Sequence, residues 1–228
     1  GHRTGDNPAR LKGNLSAILP KQSKTEKHWP ALKVSDAADW FADLQGRDGT
    51  ATRALEFAAL TAARSGEVRG MTWDEVDGDV WEIPASRMKA KRSHRVPLTA
   101  EVRAILEAMP RTSDLVFPAA KGGQLSDMAL SAAMKRINEA REGGYLDRET
   151  GRPAVPHGLR STFRDWTAER GYPRDMAEIA LAHVVGSDVE RAYRRSDMLD
   201  RRRQMMAAWG AFLRGEAAGK VVTLEAAR

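Results

Sequence analysis

One island of strand-like alternation interrupts a chain whose apolar residues otherwise recur at helical spacing. That island narrows the possible folds more than any bulk property does. Before it, Ser35 reads as an N-cap, and Ala37, Trp40, Phe41 and Leu44 follow at helical spacing until Gly46. Leu55, Ala58, Ala59 and Leu60 mark a second helix running to about Ala63, and 64–71 reads as a turn or short helix. The pattern changes at Asp79. Val80, Trp81 and Ile83, then residues 87–90, then 95–98 read as three short strands of a small antiparallel sheet. Helical spacing then resumes. Thr99 caps a helix that Pro110 ends, 115–117 is a brief extended piece, and Ser126 starts a helix running to about Glu142. A glycine-rich loop through Gly143, Gly144 and Gly151 leads to Pro156. Helices are then expected at about 158–170, 174–182, 187–194 and 199–213, with a short strand at 221–224. The expected fold class is mainly α with a small antiparallel three-stranded β-sheet (α+β).

A chain of 228 residues suits one sizeable domain, and a hydrophobic fraction of 42% is enough for a packed core. Residues 1–34 are basic, hold Pro8, Pro20 and Pro30 and lack a sustained period, so they read as a linker or the tail of an upstream domain. Gly1 and His2 look like a non-native start. The domain proper is expected over 35–214, with 215–228 as a tail. A net charge of +6 points toward a polyanion, and nucleic acid is the commonest such partner. With no cysteine there are no disulfides, thiol nucleophiles or thiolate metal sites. No apolar run is long enough for a membrane span and no signal peptide is evident, so a soluble, cytoplasmic protein is expected.

Several chemistries lack their motifs. There is no HExxH, EF-hand loop, P-loop or GxSxG pattern, and the five histidines, at 2, 28, 94, 157 and 183, form no local metal pair. No cofactor or metal is therefore expected. What remains is a scatter of cations around a possible nucleophile. His157 and Arg160 lie three apart at a helix start, on one face, where free amides and the helix dipole favour an oxyanion. Arg64 follows an apolar helix in ALTAARSGEVRGM, where an arginine either snorkels to water or points into a site, with Glu67 as a pairing candidate. Lys89 sits in or just after the middle strand, and Lys91 and Arg92 beside it suit a phosphate-grasping turn. Tyr193 lies among arginines in DVERAYRRSDML. The bland readings are a core tyrosine, solvated arginines and a strand histidine at His94. Tyr145 and Tyr172 are read as structural and Trp40, Trp73, Trp81, Trp166 and Trp209 as packing. The run 201–203 is read as a solvated helix face, with Arg201 or Arg202 able to meet phosphate or a partner subunit.

Taken in order, these segments resemble the catalytic domain of the tyrosine site-specific recombinases, the phage integrase family. ARSGEVRGMTWDEVD resembles the family's first arginine box, with Met71 in place of the usual leucine. RMKAKRSHRVPL resembles the sheet segment carrying the catalytic lysine, and the family spacing back from Pro97 selects Lys89. HGLRSTFRDW resembles the H-x-L-R box. LAHVVGSDVERAY resembles the closing box with its histidine and tyrosine, Ala182 standing where glycine is usual. NPARLKGNL and LPKQSKTEKHWPAL resemble the stretch joining the family's core-binding domain to its catalytic domain, which implies a piece of a prophage or genomic-island integrase.

The resemblance implies a catalytic set of Arg64, Lys89, His157, Arg160, His183 and Tyr193. The arginines would hold the non-bridging phosphate oxygens through charge-assisted hydrogen bonds. A phenol with an ordinary pKa of about 10 needs help to lose its proton. By analogy His157 is the base, Lys89 protonates the leaving 5′ oxygen and His183 donates to the phosphate. Lys91, Arg92, Arg191 and Arg194 are DNA-binding candidates, with Arg195 beside them. The implied partners are double-stranded DNA attachment sites, a homotetramer on DNA (a monomer for an isolated fragment) and accessory DNA-bending or directionality proteins, with no membrane. In the family a late helix docks on a neighbouring subunit, but for the apolar set Met198, Met205, Trp209, Phe212 and Leu213, packing in cis is equally open. Two rivals stand beside this reading: a type IB topoisomerase-like strand transferase, and a DNA-binding domain without catalysis.

Overall fold

The computed structural model describes residue 7 and residues 9–19, 28–186 and 196–216. The expected helix at 187–194 and strand at 221–224 lie outside the described residues, as do Tyr193, Arg191, Arg194 and Arg195. After one helical turn at Ser16–Ile18, the helices are α1 (Ala37–Gln45), α2 (Thr50–Thr61), α3 (Ser65–Arg69), α4 (Ala100–Ala108), α5 (Ala129–Ala140), α6 (Gly158–Glu169), α7 (Arg174–Ala180) and α8 (Leu199–Leu213). Between α3 and α4 lies one antiparallel sheet in the order β1 (Val76–Asp77), β2 (Val80–Ile83), β3 (His94–Pro97). No helix among the described residues is long and apolar enough to cross a membrane.

The mainly helical class and the three-stranded count hold, but the strands are not all where the alternation put them. Residues 87–90 are not a strand; the third strand is Val76–Asp77, ahead of the tight turn at Gly78. Pro84 follows Ile83 and ends β2. The chain then winds through successive turns, with Arg87 N–H on Pro84 O (3.0 Å), Met88 N–H on Ala85 O (3.2 Å) and Lys91 N–H on Met88 O (3.0 Å). A backbone whose donors are spent on local carbonyls has none left for a ladder. Within the true strands the period of two is clear, Trp81 and Ile83 being buried and Glu82 between them exposed.

Two helix starts also shift. Ser35 lies inside a 3-10 turn (Val34–Asp36), its hydroxyl on Asp36 Oδ1 (2.9 Å) rather than capping α1. Ser126 is spent on a turn, its carbonyl accepting Ala129 N–H, so α5 begins at Ala129 and ends at Ala140. Residue 115 is extended as expected, bridging Thr72.

α2 is the axis of the fold. From Ala54 to Thr61 every residue is buried, so this helix is covered on all sides. α1, α3, α4, α5 and α8 all pack on it. Phe57 on α2 meets Trp81 of β2 and Phe117, each ring at 5.4 Å and edge-on. α8 returns across the molecule to β3, α1, α2 and α7, and Trp209 donates its indole N–H to Ala59 O (2.8 Å) while packing on Phe163 and Trp166. The late helix therefore packs in cis. Its 201–203 run is not uniformly solvated: Arg202 is 1% exposed, donating to Asp197 and to Arg95 O (2.8 Å).

Candidate active site

The site is assembled from helix ends. α2 stops because Ala62 turns into the left-handed region (φ 53°), which leaves the Ala62 carbonyl without an intrahelical partner. Two residues on, Arg64 is the extended N-cap of α3. Glu67, in the first turn of that helix, reaches back to accept Arg64 N–H (2.8 Å) and Arg64 Nη1–H (2.7 Å). Glu67 is buried, and the bidentate pairing compensates its charge and fixes the guanidinium.

Arg160, the third residue of α6, is 5% exposed. It donates Nη1–H to Ala62 O and Nη2–H to Leu181 O (2.6 Å). Arg64 Nη2 reaches the same Leu181 carbonyl at 3.5 Å. Two guanidiniums thus converge where α2 and α7 end, and the partial negative charge of helix C-termini offsets their mutual repulsion. Burial, reinforced by Arg64, pushes the Arg160 guanidinium down to about 10, still a cation at neutral pH.

His157 occupies the N-cap position of α6, with its ring edge-on to Trp29 at 5.6 Å. Partial burial of the ring, then the charges of Arg160, Arg64 and His183, hold this imidazole below its ordinary value. At pH 7 it is therefore neutral, the form a proton acceptor needs. His183 follows α7. The Ala182 N–H bonds Ile179 O (2.9 Å) and the His183 N–H bonds Glu178 O (2.9 Å), a Schellman turn with Ala182 left-handed (φ 51°). The turn brings His183 Nδ1 to 2.6 Å from Glu178 Oε2 and Nε2 to 3.2 Å from Arg160 Nη2. His157, Arg160 and His183 line one open groove.

Arg64, His157, Arg160 and His183 are therefore brought together. Lys89 is not among them. It lies exposed in the turn between β2 and β3 and makes no hydrogen bond or ion pair with a described residue. Lys91 (φ 54°) and Arg92 are also exposed in that turn, and Arg92 borders a second, smaller pocket that His183 also lines. Tyr193, Arg191 and Arg194 lie outside the described residues.

Three supporting residues, Glu178, Arg164 and Arg87, escape a reading of the sequence. Glu178 and Arg164 (Arg164 Nε to Glu178 Oε1, 2.6 Å) sit under His183. Arg87 ties the hairpin turn to the arginine box, donating to Glu75 and to Glu67 O, while Trp81 Nε1–H also donates to Glu75 (2.9 Å). His94 is half-buried, and burial, then Arg202, push its imidazole down to about 4. Only the i, i+4 spacing of Arg160 and Arg164 on α6 was a usable signal. Tyr145 is structural, as read: buried, it donates its hydroxyl to Asp43 (2.5 Å).

Comparison with known proteins places this arrangement. The model of the phage integrase family matches residues 41–199. The prophage integrase IntA of Escherichia coli (strain K12) is 41% identical over 170 residues, 72% of this chain and 38% of that protein. The integrase of Shigella phage Sf6 is 32% identical over 169 residues, 72% of this chain and 41% of that protein. This chain thus spans less than half the length of these relatives. Among solved structures, a lambda integrase dimer bound to a COC′ core site is similar with a TM-score of 0.58 at 18% identity, covering 82% of this chain and 53% of that one. The lambda integrase catalytic core gives 0.54 at 17% identity, covering 70% of this chain and 94% of that one. The fold is shared, and the matched residues hold the helix ends and hairpin that carry Arg64, Lys89, His157, Arg160 and His183. The chain belongs to the phage integrase family.

Proposed function

We propose that this protein is the catalytic part, over 35–214, of a site-specific recombinase that cuts and rejoins DNA strands to integrate or excise a mobile element. The observation that carries the reading is the convergence of Arg64 and Arg160 on the Leu181 carbonyl, with the His157 and His183 imidazoles in the same cluster. Such an array is preorganised for a phosphodiester whose non-bridging oxygens gain charge during displacement. Arg64 and Arg160 hold those oxygens, and His183 donates to the phosphate. His157, neutral at pH 7, accepts the phenolic proton of Tyr193, the nucleophile. Attack by the phenolate forms a 3′-phosphotyrosine bond as the 5′ oxygen departs, protonated by Lys89. Reversal of the same steps rejoins the strand, so the bond energy is conserved without ATP.

Lys91, Arg92, Arg191 and Arg194 are the proposed DNA-phosphate contacts. The working form is a homotetramer on paired attachment sites, assisted by DNA-bending or directionality proteins, in the cytoplasm. One solved relative is a lambda integrase tetramer bound to a Holliday junction, which supports the assembly by analogy. The test is covalent capture on a nicked duplex carrying the element's attachment junction. A denaturing gel is expected to show a protein–DNA adduct for the wild type and none for Tyr193→Phe, with Arg160→Lys slower by on the order of 10²–10³. Binding without an adduct from the full-length wild type would leave a DNA-binding domain and refute the enzymatic reading.

A further inference from the structure

His183 has two ring nitrogens and meets a different partner at each. Nδ1 lies 2.6 Å from Glu178 Oε2 and Nε2 lies 3.2 Å from Arg160 Nη2. Burial works against the charged form of Glu178, but hydrogen bonds from Arg164 and His183 outweigh it and hold the carboxyl below its ordinary value. An ionised carboxylate can only accept, and a guanidinium can only donate. The neutral tautomer that satisfies both contacts therefore carries its proton on Nδ1 and its lone pair on Nε2. Two independent neighbours select the same form.

The carboxylate is itself oriented. Glu178 Oε1 accepts Arg164 Nε–H (2.6 Å), which leaves Oε2 for the imidazole. Arg164 is one turn beyond Arg160 on α6, and Glu178 is on α7, so the pair ties together the two helices that carry Arg160 and His183. Glu178 is 19% exposed at its side chain and belongs to no role assigned above.

We infer that Glu178 is a positioning residue for strand cleavage, holding the His183 ring with Nδ1–H on its carboxylate so that Nε2 is the atom turned to Arg160 and the phosphate. The inference rests on the recombinase reading for its catalytic consequence but not for the tautomer. His183 donates to the phosphate as the imidazolium, with a second proton on Nε2, and in that form as in the neutral one Nδ1–H stays on Glu178 and holds the ring in this orientation. A carboxylate behind an imidazole is a general device for fixing which nitrogen faces the reacting group.

Glu178→Gln tests this without changing shape. The charged Arg164 donor claims the single amide oxygen, which leaves the NH₂ facing Nδ1. Nδ1 must then accept, the ring proton moves to Nε2, and Nε2–H meets Arg160 donor to donor. The readout is the ¹⁵N spectrum of this chain labelled at histidine, recorded at alkaline pH with His183 assigned through His183→Gln. The wild type is expected to show protonated Nδ1, and Glu178→Gln to show protonated Nε2 with an unchanged thermal midpoint. Glu178→Ala, which leaves Nδ1 to water, is expected to lose the exclusive Nδ1–H form as well. On the nicked duplex, Glu178→Gln is expected to form adduct about tenfold to a hundredfold more slowly, with no further loss when combined with His183→Gln. Retention of the Nδ1–H form in both variants, or wild-type adduct formation by Glu178→Gln, overturns the inference. A wild type that forms no adduct refutes the recombinase reading instead, and the spectrum still decides the tautomer.

Discussion

Ala182 adopts φ 51°, in the left-handed region, at the position where its family usually has glycine. The conformation gives the physical reason for that preference. The Schellman turn that ends α7 requires positive φ at this residue, and a Cβ is penalised there whatever space surrounds it. Ala182→Gly is therefore expected to stabilise the protein by about 0.5–1 kcal/mol, the relief of strain exceeding the added freedom of the unfolded chain. This would appear as a rise of about 2–4 °C or less in the thermal midpoint. His94 makes a second prediction at this scale. Its imidazole is held at about 4 by burial, then Arg202, against an ordinary value of 6.5, while Glu67 and a hydrogen bond to the Ala180 backbone pull the other way. The unfolded chain binds the proton more readily between those values, so stability rises with pH across that window and falls as the solution is acidified. Between pH 7 and 5 the loss is about 2 kcal/mol from this residue. Urea unfolding at the two values is expected to show a pH dependence that shrinks by that amount in His94→Gln.

At the scale of elements, the start of α6 is fixed by an irregular segment far away in sequence. Pro30 O accepts Val155 N–H (3.1 Å), Leu32 O accepts the Thr162 hydroxyl (2.7 Å), and Asp147 Oδ2 accepts Ala31 N–H (2.9 Å). A side chain at Gly158 would place its Cβ 1.9 Å from Pro30 O, a backbone atom that cannot swing away. The backbones approach this closely because the first residue of α6 has no side chain, and the approach brings Trp29 against His157. Gly158→Ala is expected to cost about 3 kcal/mol or more, or to displace the Pro30 segment and expose α6. Chemical denaturation together with amide exchange at Val155 would distinguish these two responses. The hairpin after β2 is organised in the same way. Its turns are held at the base by Arg87, whose guanidinium bridges Glu75 and the Glu67 carbonyl, so the turn carrying Lys89 is anchored to the helix carrying Arg64.

At the scale of the molecule, α8 closes the domain. It crosses from β3 to α1, and its buried Met205, Trp209 and Leu213 face the α2 axis and the aromatic face of α6. Arg202 pins its first turn to the sheet edge through Arg95 O and to the preceding segment through Asp197. A buried guanidinium that loses its partners, or partners that lose their guanidinium, leave unsatisfied groups behind. Arg202→Ala is expected to destabilise the fold by about 2–3 kcal/mol, whereas exposed Arg201→Ala should change it by less than about 0.5 kcal/mol. Equilibrium unfolding of the two variants checks that contrast, which the sequence run of three arginines does not suggest.

The sequence by itself determined the helical spacing on both sides of a β island, the apolar run of α2, and the ordered boxes holding Arg64, Lys89, His157, Arg160 and His183. These are local patterns or fixed spacings, which one residue after another can specify. It missed the strand at Val76–Asp77 and misplaced one at 87–90, because a short apolar stretch pairs or turns according to where its hydrogen bonds go. It gave no sign of the carbonyls at Ala62 and Leu181 that seat the arginines, of Glu178 behind His183, or of the burial of Arg202. Each of these depends on the meeting of groups from distant elements, as when α6 and α7 bring Arg164 and Glu178 within 2.6 Å. Only the tertiary structure decided them, since a charge is made tolerable in a protein interior by the partners and desolvation that packing supplies, and residue order alone carries neither.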